Sequence, residues 1–247
     1  MTTDEADGGS AAGVSEWVPH LEELRRRIIA VLVIFVVAAA AAFAFSEHIA
    51  AFLMAPAAAL GIQLFTFAPA EKFGAYLTIA VWTGAIAAAP FCLLQITLFV
   101  LPALRGRERR WTLACLTIIP ILFFCGAALV YYYLAPVVLR FFVQFGAGDG
   151  VAALWSFKEY LSILYALALA AGLLLQTPLL LLAAFALGLI SPKAAARARP
   201  AIILGIFIVA ALCTPPDVVS QAALAVPLCL LFELTLVIGR VFQRRQK

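Results

Sequence analysis

Charge is scarce in this chain: 12% of its 247 residues are Asp, Glu, Lys or Arg, while 66% are hydrophobic. Soluble domains carry about twice that share of charge, so a soluble globular fold is excluded. Histidine is rarer still: only His20 and His48 occur, both outside the apolar runs. HExxH, GxSxG and Walker-type loops are missing. An intramembrane metalloprotease or Ser/His protease therefore lacks its parts, and no catalytic residue, metal or cofactor is assigned. The five cysteines sit in apolar segments, without CxxC spacing or a nearby His, which fits inert, buried thiols. Neither a relay of charges through the apolar runs nor an internal repeat is apparent, which weighs against an ion channel or secondary carrier. The formal charge of +4 is dispersed among loops, so it makes no nucleic-acid surface.

What the chain does have is long apolar runs punctuated by basic stretches. Arg25–Arg27, Arg105–Arg110, Lys193 with Arg197 and Arg199, and Arg240–Lys247 hold fourteen of the seventeen Lys and Arg residues. Even numbers of spans between these stretches put all of them on one side of a bilayer, as the Lys/Arg excess of cytoplasmic loops requires. The expected architecture is an all-α membrane protein with both termini inside. Residues 1–16 read as a disordered tail, 17–239 as a single membrane domain, and 240–247 as a basic tail. An amphipathic helix from Trp17 leads into a first span at about 28–46. That span resembles a signal peptide ending in Ala42-Phe43-Ala44. The acidic leader before it favours a retained helix.

Further spans are expected at about 73–100, 111–139, 160–187, 201–213 and 218–238, with 47–72 and 140–159 as outside segments. The fifth is short. Thirteen residues make roughly 20 Å of helix, against about 30 Å of hydrocarbon. Pro215-Pro216 forbids continuing it, since successive prolines remove donors and clash with the preceding turn. Prolines inside other spans, among them Pro90 and Pro178, predict bent helices whose freed carbonyls find partners elsewhere. Asp217 is placed to cap the sixth helix.

Two carboxylates stand out. Glu23 precedes Arg25–Arg27, and Glu108 lies between Arg107 and Arg109. Helix design accounts for both, because Glu23 and Arg27 are an i,i+4 pair and Glu108 begins a helix. The alternative is that they bind guanidinium groups of a ligand, whose planar fork pairs bidentately with carboxylate where Lys offers only a point charge. Gln176 either contacts a neighbouring helix or satisfies a carbonyl freed by Pro178. Glu233 is an ionisable group within a span, hence functional by default, or it snorkels towards the basic end.

At these residues the chain resembles the TatC family, the membrane receptor of twin-arginine protein export. His20-Leu21-Glu22-Glu23-Leu24-Arg25 matches an amino-terminal HLxELR motif, and Pro102-Ala103-Leu104 with Glu108-Arg109-Arg110 matches the first inner loop. Leu212 through Asp217, with Ser220-Gln221, Pro227 and Phe232-Glu233, matches the carboxy-terminal signature. Pro56, Pro90, Gln95 and Phe99 also fall in family-like settings. The resemblance implies six spans in a glove-like, concave bundle with short fifth and sixth helices. It also implies that Glu23 and Glu108, framed by Leu24, Arg25, Phe99 and Arg105, receive the Arg-Arg pair of signal peptides on folded substrate proteins. Gln176, Thr177, Gln221 and Glu233 would meet single-span TatA- and TatB-like subunits in a hetero-oligomer within membrane lipid. The implied setting is the cytoplasmic (inner) membrane, with transport driven by proton-motive force. Many members of the family carry Glu where this chain has Gln176. A small-solute or lipid transporter and a partner-assembling scaffold are the competing readings.

Overall fold

The computed structural model describes residues 8–100, 107–145 and 154–244, with side chains over 21–99, 116–145 and 154–241. Almost everything described is helical. A chain this apolar has few polar side chains to pair with its backbone, and helices satisfy their N–H and C=O groups internally. In chain order the helices are α1 (Gly8–Ala44), α2 (Ser46–Ala58), α3 (Pro69–Val100), α4 (Arg107–Leu129), α5 (Ala135–Phe145), α6 (Phe157–Leu174), α7 (Thr177–Ala186), α8 (Pro192–Arg197), α9 (Arg199–Cys213) and α10 (Val218–Arg244). A π-turn at Val130–Leu134 joins α4 to α5. Two short parallel strands, β1 (Leu64–Phe65) and β2 (Trp155–Ser156), pair Leu64 with Trp155 and Phe65 with Ser156.

Five stretches are long and apolar enough to cross a membrane: Leu21–Ala44, Pro69–Phe99, Leu116–Phe145, Phe157–Ala186 and Val218–Val241. The chain is thus a multi-pass membrane protein. Helix α9, with 15 residues, rises roughly 22 Å and falls short of that length. It ends where expected: Thr214, next to Pro215, is extended with ψ 159°, because proline pushes the preceding residue out of the helical region. Asp217 Oδ1 then accepts from Ser220 N at 2.7 Å, the N-cap geometry that starts α10.

Several sequence expectations need correction. The sixth span is not short, since α10 runs for 27 residues. Pro227 does not stop it, and the helix continues through Arg240 into the expected tail. Helix α1 likewise begins at Gly8, because a nucleated helix gains one hydrogen bond for each residue it adds. The fourth span is two helices. Gln176 N turns back to Leu173 O at 3.0 Å, and Pro178 opens α7 from its first turn, where a missing N–H costs nothing. Pro90 sits fully buried within an uninterrupted α3.

The outside segment 47–72, expected as a loop with a partly buried hydrophobic portion, is helical over α2, and Ala50, Leu53 and Ala57 of that helix supply the buried portion. Pro56 lies inside this helix and supplies no donor for the carbonyl of Phe52, four residues earlier. The Tyr131 hydroxyl donates to that carbonyl at 2.7 Å, and Tyr160 fastens Leu53 O at 2.6 Å.

The core is built on α3, α4, α6 and α10, with Ile79, Phe123, Leu161 and Leu224 wholly buried. Helices α4 and α6 approach so closely that a Cβ on Gly126 would sit 2.7 Å from the Ala171 carbonyl oxygen. Small residues permit such contact between membrane helices, where dispersion replaces the hydrophobic drive. Helix α1 stands outside this core and packs chiefly on α3.

Candidate functional site: a groove between α1 and α3

The two helices touch at Gly84, where an added Cβ would fall 2.8 Å from Ala39 Cβ. From that crossing towards the basic end a groove of roughly 440 Å3 lies between them. Leu24, Arg27, Ile28, Val31, Leu32 and Phe35 line it from α1, and Ala85, Ala88, Ala89, Cys92, Gln95, Ile96 and Phe99 from α3. Both sets recur at three- and four-residue intervals, so each is one stripe of its helix. The space exists because α3 is nearly all small along the deeper part of its stripe, from Ala85 to Cys92.

The lining is apolar except at the mouth. There Arg27 donates from Nε to Glu23 Oε1 at 3.1 Å, and its Nη2 joins the same oxygen. Its Nη1 donates to Gln95 Oε1 at 2.9 Å, and Nη2 also to Leu98 O at 3.3 Å. Glu23 remains partly exposed, with 36% of its side chain open, so a guanidinium arriving from outside can reach it. Leu24 and Arg25 are exposed, and Phe99 is half-buried in the groove wall. Arg105 and the side chain of Glu108 lie outside the described residues.

The remaining predicted site residues are not gathered here. Gln176, expected at a partner helix, is buried. Its Nε2 donates to Gly172 O at 3.1 Å and Ile119 O at 3.4 Å. The Gly172 carbonyl needs this partner because the Gln176 N–H has turned to Leu173. Gln221 donates to Phe207 O at 3.0 Å, tying α10 to α9. Glu233 does not stand alone: Arg199 Nη2 donates to it at 2.7 Å, and both side chains stay partly exposed. Thr177 is exposed and, with Pro178, lines a second groove of roughly 230 Å3 among α7, α9 and α10.

Sequence reasoning paired Arg27 with Glu23 but missed its role in joining α1 to α3. One signal was available. Residue 102, which in a continuing helix donates to Leu98 O, is a proline without an N–H. Among the described residues no group of His, Cys, Asp and Glu could hold a metal ion.

Fold and site define a polytopic helical membrane protein with an apolar groove whose mouth carries Arg27 bonded to Glu23. The Sec-independent protein translocase protein (TatC) family model matches residues 19–227. A Sec-independent protein translocase protein TatC from Haemophilus influenzae is 36% identical over 92% of this chain and 89% of its own length. One from Magnetococcus marinus is 34% identical over 93% and 85%. The crystal structure of a twin-arginine translocase receptor, TatC, superposes with a TM-score of 0.76 at 31% identity, covering 90% of this chain and 98% of that one. The chain belongs to the TatC family, the non-enzymatic transport component of Sec-independent protein translocation.

Proposed function

We propose that this protein is the signal-peptide receptor and core subunit of a twin-arginine translocase in the cytoplasmic membrane. The observation that carries the reading is the partly exposed Glu23 carboxylate at the mouth of an otherwise apolar groove. A segment with arginines followed by an apolar stretch matches that layout, charge to charge and chain to groove. Glu23 and Glu108 take the two guanidinium groups, Leu24 and Phe99 flank the start of the apolar stretch, and Arg25 and Arg105 frame the site. Six spans, counting the short α9, form a concave, glove-like body with both termini in the cytoplasm. The basic stretches support this orientation.

Family membership implies a complex with other translocase subunits. Single-span TatA- and TatB-like subunits dock on this body, with Thr177 and the second groove as the contact best supported by exposure. Gln221 and Glu233 stiffen the α9–α10 pair that borders it, and Gln176 braces α6 against α4. Proton-motive force drives the passage of folded substrates.

The test is binding of a twin-arginine signal peptide to the protein in nanodiscs, compared with its Lys-Lys version. A preference for Arg-Arg of about 1–3 kcal/mol, the scale of hydrogen bonds to charged groups, that vanishes in Glu23→Ala and Glu108→Ala is expected. Equal binding of both peptides to the native protein returns the carboxylates to helix design and favours a scaffold or transporter.

A further inference from the structure

Arg27 is held in a way that helix design does not require. Two of its N–H groups converge on a single oxygen of Glu23, Oε1. The strongest guanidinium–carboxylate pairing uses both oxygens side by side, so the internal pair falls short of it. A guanidinium arriving from outside is not tethered to the same helix and can take the two-oxygen geometry. The other side of Arg27 faces α3, where Gln95 Oε1 and Leu98 O already accept from it. Pro102 has no N–H to offer Leu98 O, and Arg27 Nη2 donates to that carbonyl.

We infer that Arg27 is an internal stand-in for the ligand's arginine, occupying Glu23 in the unliganded protein and, when a signal-peptide guanidinium binds, releasing Glu23 while Gln95 and the Leu98 carbonyl keep hold of it. The inference rests on the signal-peptide reading above. An arginine displaced into an apolar groove without partners would be an unpaired, desolvated charge and would block the exchange. The two acceptors on α3 remove that obstacle. Arg27 therefore competes with every ligand cation. It lowers the affinity for all of them by one common factor, as any occupied-state equilibrium does, and leaves their ratio unchanged.

The test uses the full chain in nanodiscs and measures Kd for Arg-Arg and Lys-Lys peptides. Arg27→Gln is expected to tighten both by about two- to fivefold, the range for removing one partly exposed ion pair. The comparison is with Arg26→Gln, which makes the same charge change at an exposed neighbour. Arg27→Lys, which keeps the charge but loses the fork, is expected to tighten both peptides less. It carries the test if the Gln variant does not fold. Gln95→Leu is expected to weaken binding in the native background and to do nothing once Arg27 is Gln.

Affinity in Arg27→Gln equal to or below that of Arg26→Gln would overturn the inference, making Arg27 a residue that positions Glu23. Equal loss from Gln95→Leu in both backgrounds would also overturn it, since Gln95 would then touch the ligand itself. A native protein that shows no Arg-Arg preference and ignores Glu23→Ala sinks the signal-peptide reading, and this inference with it.

Discussion

Two of the grooves formed by the described residues are largely apolar, yet they ask different things of an occupant. The α1–α3 groove, roughly 440 Å3, has Arg27 and Gln95 in its lining and Glu23 bonded to that Arg. The groove among α7, α9 and α10, roughly 230 Å3, has Thr177 as its only polar side chain among Leu, Ile, Val, Pro, Phe and Gly. Arg199 and Glu233, on the two helices that border it, are bonded to each other. In the exchange inferred above, a carboxylate whose arginine partner can leave reads charge. A carboxylate paired across two helices fastens them. What distinguishes the two is the presence of alternative acceptors for the arginine, available at Arg27 in Gln95 and Leu98 O.

The sharpest way to break this contrast is Glu23→Ala. It should abolish about 1–3 kcal/mol of Arg-over-Lys preference while leaving single-span partner binding unchanged, as read by peptide titration and by co-purification. A loss of both would mean that the two grooves are one site. Gly84→Val comes next. Its side chain cannot fit against Ala39, so the crossing must part, at about 1–3 kcal/mol of stability. Thermal unfolding in detergent should register the loss, and an unchanged midpoint would contradict the tight crossing.

The second groove is addressed by Gly205→Leu. A Cβ at Gly205 meets nothing within 4 Å and Gly205 lines the groove, so a side chain added there occupies part of its space. It should weaken partner-helix capture by about 1–2 kcal/mol, the scale of one misplaced buried side chain, with signal-peptide affinity intact. Unimpaired capture would remove this groove as the docking surface. The smallest effect belongs to the Arg199–Glu233 pair. A double-mutant cycle with Arg199→Gln and Glu233→Gln should give about 0.2–1 kcal/mol of coupling, because both side chains are partly exposed. Zero coupling would leave the pair without an energetic role.

Local rules carried much of this into the sequence. The positions of the apolar runs, the stop at Pro215-Pro216 and the Asp217 cap depend on neighbouring residues alone, and the Glu23–Arg27 pair on one turn of helix. Contacts between helices were not legible in the same way. Arg27 meets Gln95 across 68 residues and Arg199 meets Glu233 across 34, and such pairings depend on which helix faces form the seams.

Prolines misled where a distant group compensated for them. Pro56 lies in the segment expected as a loop, yet α2 runs through it, with the Tyr131 hydroxyl taking the Phe52 carbonyl. Pro178 argued for a bend and produced a break, with Gln176 turned inward to repair it. For Gln176 the sequence offered both roles, partner contact and carbonyl repair. The choice turned on the approach of α4, which brings Ile119 O within reach.

One consequence of how α1 is placed concerns the thickness of the bilayer. Only 6% of its apolar window is buried within the protein, against 39% for the window in α10. Away from its seam with α3, most of its apolar surface is therefore left for lipid. A helix in that position answers hydrophobic mismatch by tilting, and it is anchored on one side by the Gly84 crossing. Lengthening or shortening the acyl chains would thus swing its Glu23 end relative to Gln95. On the signal-peptide reading proposed above, membranes of different thickness give the same polypeptide different signal affinities, and lipid composition becomes a tuning variable for cargo selection.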